Sequence, residues 1–247
     1  MLADFNEKTL SAEVAALSEM GYDVHGVACD VSDRSSVANL VAEADKLGPI
    51  TGVVHTAGLS PVQASAEAIF KVDLYGFALM IDLFGEVVAP GGSGVFIASM
   101  AGTMTPMDPE LETTLAMTPT EELLGLGVVS ETTDPGAAYS ISKRGNQARV
   151  EMTCAQWGAR GARLNTISPG IIATPMGNAE LAGENGEGMR MMIDLSASKR
   201  VGTPEDIAMA VDFLLSPNST FITGTDLLVD GGAVPFVKSM IASGAMG

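Results

Sequence analysis

A tyrosine and a lysine four positions apart are the residues whose types and spacing first suggest chemistry. Tyr139 and Lys143 lie in a segment of helical pattern, so the phenol and the ammonium share one face of a helix. A nearby ammonium lowers the phenol pKa from its usual value of about 10, which suits a tyrosine for proton transfer near neutral pH. Such a pair is common by chance, and in isolation a pair of surface side chains is the simpler interpretation.

The context of this pair is a set of polar and glycine-containing turns, each of which follows an apolar run. Ser99 comes directly after the run Gly94–Ala98, so its hydroxyl is predicted at the carboxyl end of a strand, where ligands of open parallel sheets bind. The other turns are Asp30-Val31, His55-Thr56-Ala57-Gly58, Pro169-Gly170 and Asp230-Gly231-Gly232. These turns place candidate binding groups at several strand ends.

Short runs rich in valine and isoleucine alternate with longer segments of helical period, which is typical of an α/β fold with a parallel sheet covered by helices. The predicted strands are Leu2–Asp4, Asp23–Cys29, Thr51–His55, Gly94–Ala98, Arg163–Ile167 and Asp226–Val229. The predicted helices are Glu7–Met20, Arg34–Leu47, Gln63–Val88, Gly136–Trp157 and Pro204–Leu215, the last with Thr203 as its N-cap. We predict a single domain over residues 1–247.

Two segments depart from this alternation. Residues 103–134 carry only a weak helical pattern around Pro119–Leu126, so we predict a long inserted loop or helical flap that acts as a lid or an interface element. In Pro175–Arg200 four methionines lie among glycines and charges, where they either line an adaptable apolar pocket or pack as ordinary core residues. The tail 233–247 is expected to close the pocket or to contact a neighbouring subunit.

The composition excludes several classes of function. A net charge of −17 repels nucleic acid and anionic membrane faces. Every apolar run is shorter than the roughly 20 residues of a membrane span, and the first residues lack a secretory pattern. The two cysteines, Cys29 and Cys154, have no metal-type spacing, so no metal site is predicted. We expect a cytoplasmic protein.

The order and spacing of these motifs resemble the short-chain dehydrogenase/reductase family over nearly the whole chain. The resemblance implies a doubly wound, Rossmann-like parallel sheet with helices on both faces and a bound nicotinamide dinucleotide. It implies that Tyr139 is the general acid/base, that Lys143 lowers the tyrosine pKa and holds the nicotinamide ribose, and that Ser99 hydrogen-bonds the substrate oxygen. The cofactor carries the hydride, and the protein orients the substrate and moves the proton.

The resemblance also implies a set of cofactor contacts. Asp30 and Val31 would contact the adenine, and the ribose region would lie beside Thr56, Ala57 and Gly58. The carboxamide would be held by Ile172 and Thr174, and the turn before these two residues is shaped by Pro169 and Gly170. Asp4 ends the first predicted strand, where a carboxylate accepts from both adenosine ribose hydroxyls and repels a 2′-phosphate, which favours NAD over NADP. The alternative for Asp4 is a cap between strand and helix.

This sequence departs from the family pattern at its start. Family members begin with a strand, the turn Thr-Gly-x-x-x-Gly-x-Gly and a helix, whose amides hold the pyrophosphate; here the chain starts inside the next strand, at Leu2. The absent strand is central in the sheet, so its neighbours are expected to carry unpaired backbone groups. We predict that Met1 is an internal start and that roughly 25 to 30 further residues precede it, the size of one strand–turn–helix unit.

A second departure is Asp73, which stands where the family commonly has an asparagine that steadies its helix and joins a water relay to the lysine. Its carboxylate either pairs with Lys143 and raises the lysine pKa, or serves as a hydrogen bonder at a helix kink. His55, where relatives often have asparagine, is interpreted as a structural replacement. The third departure is the 103–134 insertion between Ser99 and Tyr139, an extension shared with some hydroxysteroid dehydrogenases and carbonyl reductases.

The predicted function is NAD(H)-dependent interconversion of a secondary alcohol and a ketone, with a bulky apolar substrate such as a hydroxysteroid as the favoured class. Relatives suggest a homodimer or homotetramer. The alternative is a non-catalytic remnant or binding subunit that lost nucleotide binding together with the glycine-rich loop. An epimerase or dehydratase using the same residues is a third possibility, which would require tightly held NAD.

Overall fold

The computed structural model describes residues 1–244, and its strands form two parallel sheets. The strands are β1 (Leu2–Asp4), β2 (Gly26–Ala28), β3 (Gly52–His55), β4 (Ser93–Ile97), β5 (Arg163–Pro169) and β6 (Asp226–Val229). The first two pair with each other, while the other four follow the order β3-β4-β5-β6, which we call the main sheet. Every pairing is parallel, which confirms the predicted α/β parallel architecture. The predicted strand Asp23–Cys29 is shorter in the structure, because only Gly26–Ala28 pair with β1.

Within the described residues, no backbone pairing joins β1 to β3. The gap between the two sheets therefore lies between β1 and β3. According to the family resemblance, these are the two strands that would flank the absent central strand. Three alternate residues in and directly after β3, Gly52, Val54 and Thr56, are exposed. The apolar side chain of Val54 is 43% exposed. We call β1, α1 (Glu7–Glu19) and β2 the N-terminal unit.

Eleven further helices surround the strands in the described chain. They are α2 (Arg34–Leu47), α3 (Ala66–Ile69), α4 (Phe77–Gly85), α5 (Met100–Met104), α6 (Pro109–Met117), α7 (Gly127–Glu131), α8 (Pro135–Gly158), α9 (Pro175–Ala182), α10 (Gly186–Leu195), α11 (Pro204–Leu215) and α12 (Ala233–Ala242). A π-helical segment, Phe70–Gly76, joins α3 to α4, so the single helix predicted over Gln63–Val88 is interrupted. The predicted N-cap of α11 is confirmed, since Thr203 and Asp206 form a capping box.

Alternation along the central strands explains why both faces of the main sheet are covered. Phe96 and Leu164 point to the side of α4 and α8, where they join a buried aromatic and aliphatic cluster. Val95 and Ile167 point to the opposite side and pack against Leu214 of α11. Because successive strand residues face opposite sides, β4 and β5 require helices on both faces. This confirms the predicted doubly wound arrangement.

Trp157, near the end of α8, is a fully buried side chain at the centre of the first cluster. Its indole Nε1 donates to the backbone oxygen of Ile81 at 3.1 Å. Two glycines make room for the ring: a Cβ at Gly85 would lie 2.8 Å from the indole, and a Cβ at Gly94 would lie 2.7 Å from it. A side chain at either position would displace the tryptophan.

The segment 103–134 is mainly helical and packs on α8. Leu115 and Leu123 are fully buried against Phe70 and neighbouring residues of the π-helical segment. Arg144 of α8 makes two hydrogen bonds of 2.9 Å to the carboxylate of Glu112. The prediction of a loop or helical flap is thereby refined to a helical layer fixed on α8, whereas its role as lid or interface element stays a prediction.

The methionine-containing segment folds into α9 and α10 and meets α12, which begins at Ala233. Met189 and Met192 pack with Met100, Ile171 and Val234. A cavity of about 210 Å³ between α10 and α12 is lined by Gly188, Met191, Met192, Leu195, Phe236 and Val237. The predicted tail 233–247 is thus a helix packed on α10 over its first part, and its residues 245–247 lie outside the described residues.

Candidate active site

Tyr139 and Lys143 lie in the first turns of α8, which the Asp134 carboxylate caps by accepting from the amide of Ala137 at 2.7 Å. The Nζ atom of Lys143 is 5.3 Å from the centroid of the Tyr139 ring. Lys143 is 4% exposed, while Tyr139 is half-buried beside the layer formed by residues 103–134. The structure therefore brings the two predicted groups together, with the ammonium held inside the protein.

Asp73 lies in the π-helical segment and is the direct partner of that ammonium. Its Oδ2 is 3.1 Å from Lys143 Nζ, and its Oδ1 accepts from the amide of Leu59 at 2.7 Å. A π-helical turn releases backbone carbonyls from their usual partners, and here the Asp73 carbonyl accepts from Asn146 Nδ2 at 2.6 Å. The ion-pairing alternative for Asp73 agrees with this geometry, whereas the backbone of the π-helical segment is held by Asn146 and not by the Asp73 side chain. The catalytic role of Asp73 stays a prediction.

Burial and charge act in opposite directions on this pair. Desolvation disfavours the Lys143 ammonium, yet the Asp73 carboxylate and the Tyr139 phenol together raise the pKa of Lys143 above its usual value. Desolvation also raises the pKa of the Asp73 carboxyl, against the opposing effects of Lys143 and the Leu59 amide. The lysine is therefore held as a cation beside the tyrosine.

Ser99 follows β4 and caps α5, where its hydroxyl accepts from the amide of Ala101 at 3.1 Å. Lys143 Nζ lies 3.5 Å from the backbone oxygen of Ile97, two residues before Ser99. Gly102 in α5 is pressed against α8, since a Cβ there would lie 2.7 Å from the carbonyl carbon of Lys143. The serine and the lysine are thus held at one end of β4, and the serine hydroxyl is half-buried.

His55 at the end of β3 is 3% exposed, and its ring packs against Phe77 and Phe96 with centroid separations of 5.6 and 5.4 Å. Burial and the nearby Lys143 charge lower its pKa to about 3. Its Nε2 has no hydrogen-bond partner within residues 1–244. A neutral, buried ring of this kind agrees with the predicted structural role.

The cofactor residues predicted at the first two strand ends lie apart from this group. Asp4 is exposed, and its Oδ1 accepts from the amide of Asn6 at 2.7 Å, while the N-cap of α1 is Asn6 itself. Asp30 accepts from the amide and the hydroxyl of Ser32 at 2.9 and 2.7 Å. The carbonyl oxygen of Val31 lies against Gly76, at the end of the π-helical segment, 2.8 Å from where a Cβ would be.

Gly58, the last residue of the turn after β3, lies next to the ion pair. A Cβ at Gly58 would be 3.3 Å from Asp73 Oδ2 and 3.4 Å from Lys143 Nζ. The preceding residues Thr56 and Ala57 are exposed. A side chain at position 58 would crowd the ion pair, so glycine is needed here.

The turn after β5 is shaped by close backbone contacts. A Cβ at Gly170, which follows Pro169, would lie 2.7 Å from the Cα of Asp230. Ile172 forms an isolated parallel bridge with Gly202, and Thr174 caps α9 by accepting from the amide of Gly177 at 3.0 Å. Ile172 and Thr174 are therefore fixed by backbone contacts, while their contact with a carboxamide stays a prediction.

Sequence reasoning missed Asn146, which is fully buried and fixes the carbonyl of Asp73. Its position three residues after Lys143, on the buried side of a helix, was the available signal. A cavity of about 460 Å³ lies between α3 and α7 and is lined by Ser65, Ala66, Glu67, Phe70, Lys71, Leu124, Val129, Ser130, Thr132 and Thr133. Ser99, Tyr139 and Lys143 are not part of its lining.

Residues 1–244 contain no cluster of three or more His, Cys, Asp or Glu side chains arranged to hold a metal ion. Across the same residues, no helix has the length and apolar character needed to cross a membrane.

The whole described fold has counterparts among known proteins. A family model described as Enoyl-(Acyl carrier protein) reductase matches residues 1–112 and 113–234. The Short-chain dehydrogenase/reductase bsc3 of Alternaria brassicicola is 36% identical over 241 residues, covering 96% of this chain and 88% of the relative. The D-threitol dehydrogenase of Mycolicibacterium smegmatis is 30% identical over 239 residues, covering 93% of this chain and 80% of the relative.

Solved structures match as well. The 3-alpha-hydroxysteroid dehydrogenase from Pseudomonas sp. B-0831, complexed with NADH, has a TM-score of 0.75 at 24% identity and covers 100% of both chains. At this level of identity the likeness concerns the fold.

Proposed function

This chain belongs to the short-chain dehydrogenase/reductase family, and from that premise we propose that it interconverts a secondary alcohol and a ketone with NAD(H). Its relatives bear the names of dehydrogenases and reductases, so the chain is an oxidoreductase. The observation that carries the specific reaction is the Tyr139 phenol beside the buried Lys143–Asp73 pair at the end of β4. A phenol next to a fixed cation is suited to take a proton from an alcohol and to return it to a ketone oxygen.

In the oxidation direction, the Tyr139 oxygen accepts the substrate hydroxyl proton while the carbon–hydrogen bond breaks and the carbonyl forms. A bound nicotinamide would supply the hydride acceptor for oxidation and the hydride donor for reduction. Lys143 stabilises the phenolate electrostatically, because a cation favours the charged form of its neighbour. The Ser99 hydroxyl, at the same strand end, holds the substrate oxygen in place for this proton transfer.

The residues present fit a nicotinamide dinucleotide at the ribose end. Lys143 Nζ carries three hydrogens, and the ion pair with Asp73 Oδ2 and the bond to the Ile97 carbonyl occupy at most two of them, so at least one is left for a ribose hydroxyl. Glycine at position 58 avoids the crowding of that nitrogen that a side chain would cause. Ile172 and Thr174 would hold the carboxamide, and Thr56 and Ala57 would pass beside the ribose.

We propose NAD as the cofactor because of Asp4. Its carboxylate is exposed at the end of β1, and one of its oxygens accepts a single backbone hydrogen bond, which leaves acceptor capacity for ribose hydroxyls. A 2′-phosphate at that place would meet a like charge. Asp30 and Val31 would contact the adenine nearby.

A bulky apolar alcohol or ketone is the substrate class that the surroundings of Ser99 favour. Met100 follows the serine directly and packs with Met189, Met192 and Val234, and unbranched thioether side chains adapt to large apolar ligands. The solved neighbour that acts on hydroxysteroids is consistent with this class. A cytoplasmic location and a homodimer or homotetramer complete the proposal.

The test is a screen of NAD and NADP reduction over steroid, cyclic and aliphatic secondary alcohols, followed by the Tyr139→Phe variant. We expect Tyr139→Phe to lower kcat by about 1000-fold, because proton transfer loses its acceptor, while the free energy of unfolding stays the same. Tyr22→Phe is the matched control, since Tyr22 is 63% exposed and lies far along the chain from the site. A Tyr139→Phe enzyme that keeps its rate would refute the assignment.

The competing possibility is a non-catalytic binding subunit. Titration of the folded chain with NADH, followed by cofactor fluorescence, separates the two. A folded sample with neither fluorescence change nor turnover supports the binding subunit.

A further inference from the structure

One helical turn after Lys143, the buried side chain of Gln147 faces four other elements at once. Its amide Nε2 lies 2.7 Å from Ser168 Oγ, 2.9 Å from Thr103 Oγ1, 3.3 Å from Asp226 Oδ2 and 3.3 Å from the Ser99 carbonyl oxygen. The four acceptors belong to β5, α5, β6 and the end of β4. Gln147 is therefore a junction between the elements that carry the candidate catalytic groups.

The donors and acceptors of this junction have one consistent arrangement. An ionised carboxylate only accepts, so the hydroxyls of Ser168 and Thr166 must donate to Asp226 Oδ1, at 2.7 and 2.8 Å. Ser168 Oγ then accepts one hydrogen of the Gln147 amide at 2.7 Å, and Thr103 Oγ1 accepts the other at 2.9 Å. The Ser168 hydroxyl thereby couples the orientation of the carboxylate to that of the glutamine, and the glutamine holds Thr103 of α5.

Burying the Asp226 carboxylate costs free energy, which indicates that the network serves to orient side chains rather than to stabilise the fold. Asp226 forms no ion pair with the described part of the chain, and burial raises the pKa of its carboxyl against the hydroxyl hydrogen bonds that lower it. Apolar side chains would fill the same space without desolvating a carboxylate. A satisfied polar network, by contrast, admits one set of side-chain positions, which apolar packing does not specify as narrowly.

The element that needs positioning is α5. It has five residues, Met100–Met104, with Ser99 as its N-cap and Thr103 in its last turn. Gly102 of α5 rests on the backbone of Lys143 with no room for a side chain. Any shift of α5 along α8 therefore changes the distance between the Ser99 hydroxyl and the Tyr139 and Lys143 side chains directly.

We propose that Gln147 and Asp226 are positioning residues that hold α5, and with it the Ser99 hydroxyl, in register with Tyr139 and Lys143. This inference rests on the proposed alcohol–ketone oxidoreduction, since it assigns Ser99 a substrate oxygen to hold. Neither residue touches the reacting atoms. They act through Ser168 and Thr103.

The first experiment compares Gln147→Leu with Gln156→Leu, the same substitution at an exposed position of the same helix. We expect Gln147→Leu to lower kcat by about 10- to 100-fold with little change in KM, as a misplacement near 1 Å does, and Gln156→Leu to leave both unchanged. In the Gln147→Leu background, Ser99→Ala should cost a clearly smaller factor than in the wild type, because the hydroxyl is already displaced. Equal Ser99→Ala factors in both backgrounds would overturn the proposal.

A second variant separates positioning from stability. In Gln147→Leu/Thr166→Val/Ser168→Ala/Asp226→Val the buried members of the network are all apolar, so stability lost in the single variant should return, because the buried hydroxyls that donate to Asp226 are removed together with their acceptor. We expect this quadruple variant to fold well and to remain slow. Recovery of wild-type kcat together with stability would mean that the network is structural only. If Gln147→Leu does not fold, the quadruple variant carries the comparison alone.

Amide hydrogen exchange of residues 101–104 makes the test independent of turnover. Faster exchange there in Gln147→Leu, and not in Gln156→Leu, is expected even if no alcohol proves to be a substrate. In that case the proposed function fails while the positioning of α5 stands. Unchanged exchange in both variants would contradict the positioning role itself.

Discussion

The N-terminal unit and the main sheet of this protein differ sharply in how they are buried. Helix α1 has thirteen residues, of which only Leu10 is buried, and the strands beside it are mostly exposed. In the main sheet, β4 and β5 are buried along almost their whole length and are covered by helices on both faces. Tyr139, Lys143, Asp73 and Ser99 belong to the second region, whereas Asp4 belongs to the first.

The two parts of the candidate site are therefore held in place by unequal amounts of packing. The geometry of proton transfer rests on a close-packed core, in which displacement is costly. The residues proposed to contact the adenosine lie on elements that bury little apolar surface and are drawn from the low-stability end of the fold. Substitutions that weaken one region should leave the other largely intact, and the following predictions test that separation.

The largest effect is expected from removing core volume on each side. Leu164→Ala in β5 should lower the free energy of unfolding by about 3 to 5 kcal/mol, because Leu164 is fully buried and its loss leaves a cavity. Leu10→Ala in α1 should lower the global value by less than about 1 kcal/mol but speed amide exchange within residues 1–28 through local opening. Urea unfolding and hydrogen exchange measure the two. Equal global losses would show that the regions unfold as one unit.

The next effect concerns acid stability, for which the two histidines form a matched pair. The pKa of His55 is lowered from 6.5 to about 3 in the folded state, so below pH 6.5 the unfolded chain binds a proton that the folded chain refuses. Stability from this group is complete above pH 6.5 and is lost as the pH falls, by about 2 to 3 kcal/mol at pH 4.5.

His55→Asn should therefore flatten the pH dependence of unfolding between pH 7 and pH 4.5. His25→Asn, which replaces a side chain that is 53% exposed in the N-terminal unit, is the control for the substitution itself. Urea titrations at both pH values provide the measurement. If the two variants behave alike, the burial of His55 does not govern acid lability.

The smallest effect is expected within the site itself. Asp73→Asn removes the carboxylate that raises the pKa of Lys143, so that pKa should fall and the ammonium beside the Tyr139 phenol loses its counter-charge. Turnover should stay within about tenfold of wild type, while the profile of kcat against pH moves to lower pH. Complete loss of turnover, or an unshifted profile, would contradict the paired arrangement.

The sequence predicted those elements whose signals are local. The bounds of β1, β6, α2 and α11 agree with the prediction, since caps and turn residues mark each of them. The π-helical segment was missed because Phe70–Gly76 carries an unbroken helical pattern, and only contact with Asn146 reveals the released carbonyl. The helices of the 103–134 segment were underestimated because their apolar faces are short and meaningful only against α8.

The sequence predicted which residues form the candidate site, and the structure added the buried polar residues around them. Tyr139, Lys143 and Asp73 meet as the spacing and the resemblance suggested. Gln147 and Asp226 lie seventy-nine positions apart, and no periodicity links a polar residue in a helix to one at the start of a strand. Such pairs become visible only when the strand order brings them together.

Trp157 has a practical consequence for work on this protein. It is the one tryptophan in the sequence, buried between α4 and β4 with its nitrogen bonded to Ile81. Intrinsic emission excited at the indole band thus reports a single location, near the end of the helix that carries Tyr139 and Lys143, and its spectrum should move to longer wavelength once water reaches the ring. Tryptophan fluorescence should therefore report unfolding of the core around Trp157, and opening of the N-terminal unit alone should leave that signal unchanged.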